Sequence, residues 1–81
     1  MDATRFSAFD EVYDFLLSVP SPEDVIAFRP SEETQARVRY LLDANRNSTL
    51  SSEESAELDE FSRVEHFVRM LKIRAEKKLS A

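Results

Sequence analysis

The sequence predicts a small all-α domain of three to four helices, and three observations carry that prediction. The 81 residues include no glycine, so turns at positive φ are hard to build and a meander of tight β-hairpins is disfavoured. Ser21-Pro22-Glu23-Asp24, Ser31-Glu32-Glu33 and Ser51-Ser52-Glu53-Glu54 each put a serine before a pair of acids, the chemistry of a helix N-terminus. Around these starts the apolar residues recur at helical spacing.

The first helix is expected over about 5–18, where Phe6, Phe9, Val12, Tyr13, Leu16 and Leu17 share one side and Asp10, Glu11, Asp14 and Ser18 the other. Pro20 and Pro22 stop it, and Ser21 with Pro22 at the first helical position starts a short helix over about 22–28. Pro30 prevents continuation. Ser31 opens a third helix over about 32–44, with Val38, Leu41 and Leu42 on its inner stripe and Glu33 and Arg37 paired four apart on its outer face. Asn45 or Asn47 is the expected left-handed cap. Ser51 and Glu54 form a capping box for a long last helix over about 52–79, which makes an α-hairpin with the third. The expected core is Phe9, Val12 and Leu16, then Val38, Leu41 and Leu42, then Leu58, Phe61, Val64, Val68 and Leu71. The whole chain, 1–81, reads as one domain.

Charge narrows the function classes. The chain carries 11 basic and 16 acidic residues, a formal charge of -5. Residues 1–61 hold 5 basic and 14 acidic side chains, net -9, whereas residues 62–81 hold 6 and 2, net +4. An acidic total disfavours wholesale attraction to nucleic acid or anionic lipid. No long apolar run or basic leader is present, so a cytoplasmic protein with no membrane association is expected. A domain of this size with no cysteine commonly leans on a metal or a partner to supplement its core.

On the last helix Phe61, Val64, Phe67, Val68, Leu71, Ala75 and Leu79 fill one arc, while Met70 and Ile73 fall outside it beside His66. Phe67, Met70, Ile73 and Arg74 are therefore the candidate partner-binding residues, and a homo-oligomer is expected. The basic run Arg69, Lys72, Arg74, Lys77 and Lys78 suits the negative end of a helix, with weak nucleic-acid binding as the competing reading.

Asp43-x-Asn45-x-Asn47-x-Thr49-Leu50-Ser51-x-x-Glu54 is spaced like an EF-hand calcium loop, making Asp43, Asn45, Asn47, Thr49 and Glu54 candidate metal ligands. Ser48 stands where such loops need glycine, and Arg46 puts a cation among the ligands. Helix capping by the same residues is the competing explanation. His66 is the sole histidine and has no acid three or four residues away. No enzyme activity and no cofactor are expected.

Phe28-Arg29-Pro30-Ser31, Leu41-Leu42, Asn45-Arg46, Thr49-Leu50-Ser51, Glu53-Glu54, Glu57-Leu58-Asp59-Glu60-Phe61 and Glu65-His66-Phe67 together resemble a family of small, uncharacterised helical bacterial proteins of cyanobacterial type. Ser48 replaces that family's usual glycine. Members are often encoded beside HNH-type nucleases. The resemblance, over about residues 20–79, implies an antitoxin-like or accessory role with a nuclease or toxin as protein partner, and carries no catalytic residues.

Overall fold

The computed structural model describes residues 8–81, which form four helices, α1 (Ala8–Leu17), α2 (Pro22–Ala27), α3 (Glu32–Arg46) and α4 (Ser52–Ser80). No strand occurs among the described residues, and the domain is all-α as its sequence predicts. Residues 5–7 of the expected first helix, Phe6 included, lie outside the described part.

Three serines start three helices. The Ser21 hydroxyl accepts from the Asp24 amide at 3.1 Å and the Asp24 carboxylate accepts from the Ser21 amide at 3.1 Å. Ser51 and Glu54 repeat the exchange at α4, at 3.1 and 3.0 Å. These reciprocal bonds satisfy amides that a helix cannot pair internally. At α3 the Ser31 hydroxyl accepts from the Thr34 amide at 3.2 Å, but Thr34 has no carboxylate to return.

Helix ends differ from expectation by a residue or two. Helix α2 stops at Ala27, because Phe28 takes an extended backbone (φ -60°, ψ 134°) ahead of Pro30. Helix α3 runs to Arg46, past the expected 44, and α4 to Ser80. The left-handed position after α3 is neither Asn45, which is helical, nor Asn47, at φ -91°, but Ser48, at φ 58°. The Ser48 amide bonds the Asn45 carbonyl and the Thr49 amide bonds the Ala44 carbonyl at 2.8 Å, the paired closure of a Schellman motif. The other left-handed residue, Val19 at φ 56°, follows α1 directly before Pro20. Without glycine, both positions go to residues that bear a Cβ and meet a steric cost there.

Helix α4 is the spine on which α1, α2 and α3 all pack. Ala8, Val12, Leu41, Phe61 and Val64 are buried together, with Phe9, Leu16, Phe28, Val38, Leu50, Leu58 and Val68 partly covered around them. The expected core is found there except for Leu71, which is half-buried outside the cluster, and Leu42, which is 48% exposed. One residue is 100° of helix, so with Leu41 aimed at α4, Leu42 turns to the side, where no further helix among the described residues covers it. The Phe15 and Phe28 rings meet at 4.6 Å, and Lys72 Nζ donates to the Phe28 carbonyl at 2.9 Å, tying the end of α2 to α4.

Two further residues face a different way from expectation. Arg37 does not serve the outer face of α3 with Glu33; its Nε and Nη2 reach both carboxylate oxygens of Glu57 on α4, at 2.8 Å each, because the hairpin brings an acid within the reach of its fork. Glu11 does not belong to a solvated side of α1. It is partly buried and accepts from the Ser31 amide at 3.0 Å, the Ser31 hydroxyl at 2.6 Å and the Thr34 hydroxyl at 2.7 Å. A carboxylate from α1 thus supplies the acceptor that α3 lacks, at the positive end of its dipole.

The chain measures 46 × 29 × 18 Å with a radius of gyration of 14.6 Å, against about 12 Å for a compact domain of this length. Its accessible surface is 6238 Å², against about 5000 Å² expected for a folded monomer of this mass. A long helix flanked by three shorter ones leaves apolar surface uncovered.

Candidate functional site

The segment between α3 and α4 is organised as helix caps. Because α3 continues through Arg46, Asp43 and Asn45 sit two residues apart on one helix and project about 200° apart around its axis. They do not converge on a common point. Asp43 pairs with Arg46. Thr49 Oγ1 donates to the Ala44 carbonyl at 3.2 Å. Glu54 accepts from the Ser51 amide and, through its other oxygen, from the Tyr40 hydroxyl at 2.9 Å. The carboxylate of Glu54 is held below its ordinary value of 4.5 chiefly by the Ser51 amide, then by Tyr40. Among the described residues no group of three or more His, Cys, Asp or Glu is placed to hold a metal ion.

Beside the hairpin lies an open groove of about 570 Å³. Val38 and Leu42 of α3 form one wall, Leu58, Phe61 and Val68 of α4 the other, and Val12 of α1 contributes from its end. The hydrogen bonds of Glu11 to Ser31 and Thr34 hold α1 against the start of α3. Arg39, Arg69 and Lys72 also line the groove, together with Glu11 and Glu65. Arg69 is held by Glu65 at 2.7 Å and Lys72 by the Phe28 carbonyl, whereas Arg39 is exposed and makes no ion pair among the described residues. An apolar floor with the exposed Arg39 at its side suits an amphipathic segment that brings apolar side chains to the centre and an acid to the edge.

This groove was not foreseen from the sequence, which placed Leu42 in the core. The available signal was the pair Leu41-Leu42 itself. Adjacent residues on a helix cannot both point at a single neighbour, so one of them needs a second covering element.

The residues singled out on α4 are on the surface. Phe67, Met70 and Ile73 remain 40%, 42% and 40% exposed, and Arg74 is exposed. Phe67 does not stand alone: its ring lies 6.5 Å from that of Phe9, and Phe9 stacks on Tyr13 at 5.8 Å. The seam between α1 and α4 therefore joins Phe67 to aromatics from the other end of the chain. Met70 and Arg74 follow Phe67 by three and seven residues along one side of α4, while Ile73 is turned further round the helix. His66 is exposed one position before Phe67.

No helix of the described residues is long and apolar enough to cross a membrane. No family model, no curated protein and no solved structure matches the chain.

Proposed function

We propose that the chain is a small protein–protein interaction module, an accessory or antitoxin-like partner of a nuclease, that takes an amphipathic segment of its partner into the groove between α3 and α4. The observation that carries this reading is the uncovered apolar wall, with Leu42 left 48% exposed beside Val38 and Leu58. Apolar side chains lining a concave surface, with cations at its side, support recognition of a helix by its apolar stripe. The excess of acid over residues 1–61, net -9, supplies long-range attraction to a basic nucleic-acid-binding surface, which would be shielded from DNA while occupied. The nuclease as partner rests on the family resemblance.

The test mixes the purified chain with the product of its neighbouring gene. Co-elution, together with reduced cleavage of DNA, is the expected result. Leu42→Glu should weaken that association at least tenfold while leaving the helical circular dichroism unchanged. Absence of both co-elution and any change in cleavage would refute the nuclease reading, and full binding by Leu42→Glu would remove the groove from it.

A further inference from the structure

The seam between α1 and α4 has the makings of a self-complementary surface. At its centre are apolar groups left in water: Tyr13 and Leu17, one turn apart on α1 and 54% and 80% exposed, and Phe67 and Met70 on α4. The ring contacts of Phe9 with Tyr13 and with Phe67 hold the two halves together. The flanks carry opposite charge. Helix α1 has no basic residue, and Asp10 and Asp14 are exposed on it; α4 presents exposed Arg63 and Arg74 on the side of Phe67 and Met70. None of these four is in an ion pair among the described residues.

We infer that this seam is the interface of a two-fold dimer of the chain, in which the acidic α1 flank of each copy meets the basic α4 flank of the other around the apolar centre. A two-fold axis requires one patch to complement itself. A patch with exposed acids on its α1 half and exposed arginines among the apolar groups of its α4 half meets that requirement once the second copy is rotated by half a turn. The dimer does not use the groove, so it holds independently of the partner proposed for that groove.

The test uses the full chain and two charge-reversed variants, Asp10→Lys with Asp14→Lys, and Arg63→Glu with Arg74→Glu. All four positions are exposed, and circular dichroism checks that each variant keeps its helices. Sedimentation equilibrium at about 100 μM should give a dimer for the unaltered chain. Each variant alone should be a monomer, because both of its flanks then carry the same sign, with association weakened tenfold or more. An equimolar mixture of the two variants should recover a dimer, since every flank again meets its opposite. Leu42→Glu should leave the dimer intact. A monomeric unaltered chain, variants that each still dimerise, a mixture that stays monomeric, or loss of the dimer in Leu42→Glu would each overturn the inference.

Discussion

The Thr34 hydroxyl donates to the Glu11 carboxylate at 2.7 Å across 23 residues of sequence, and with the two bonds from Ser31 it joins α1 to the N-terminus of α3. Thr34 is buried, so its hydroxyl needs an acceptor inside the fold. The same carboxylate answers the Ser31 amide, as Asp24 and Glu54 answer the Ser21 and Ser51 amides within their own helices. One acid therefore completes a cap and sets the position of a whole helix.

Replacing Glu11 with alanine should destabilise the chain by about 1–3 kcal/mol, since hydrogen bonds to a charged group are lost and buried polar atoms are left short of a partner. Burial pushes the Glu11 carboxyl up, but hydrogen bonds from the Ser31 hydroxyl, the Ser31 amide and the Thr34 hydroxyl outweigh it and hold the group below 4.5. The unfolded chain then binds the proton more readily than the folded one. The stabilisation is present above pH 4.5 and is lost as pH falls through the lower value of the folded state. Urea midpoints from pH 7 down to pH 3 should fall less steeply for Glu11→Gln than for the unaltered chain.

Ser48→Gly should raise stability by roughly 0.5–1 kcal/mol, because glycine removes the Cβ clash at φ 58° and returns part of the gain as unfolded-chain entropy. For a domain of this size that is a rise of about 2–8 °C in melting temperature. Asn47→Gly, at a position of negative φ, should not stabilise.

Leu41 and Leu42 should behave oppositely despite being neighbours. Leu41 is fully buried, and Leu41→Ala should cost about 2–5 kcal/mol, enough to unfold much of a chain this small. Leu42→Ala should cost well under about 1 kcal/mol, as a surface substitution does. Chemical denaturation of the two variants makes the comparison.

Arg37 and Glu57 should show a coupling of about 0.5–1 kcal/mol in a double-mutant cycle, the range of a partly exposed ion pair. Arg37→Lys should lose most of it, because an ammonium cannot span both oxygens of Glu57. The coupling should shrink in 1 M salt.

Calcium at millimolar concentration should leave the melting temperature and the amide spectrum of residues 43–54 unchanged. Asp43 and Asn45 lie on different sides of α3, and both oxygens of Glu54 already accept hydrogen bonds. Movement of those resonances on titration would show that the end of α3 unwinds to bind the ion.

Much of this molecule is written locally. Ser21, Ser31 and Ser51 start helices because a cap depends on residues three positions away, and Phe61, Val64 and Val68 face inward because a helix repeats every three to four residues. For the same reason Met70 and Ile73 could be placed outside the main apolar arc from sequence alone. The rest depended on how helices cross. Glu11 and the Ser31 amide are twenty residues apart, and the only local sign of their meeting is a missing carboxylate: Thr34 stands where Asp24 and Glu54 stand in the other two starts. Phe67 found Phe9 only through the docking of α1 on α4. Leu42 became a groove wall instead of core because no further helix among the described residues covers that side of the hairpin. Periodicity and capping thus determined the helices and their inner faces. Packing angle and coverage, which no short stretch of sequence encodes, decided which apolar and charged side chains were left for another molecule.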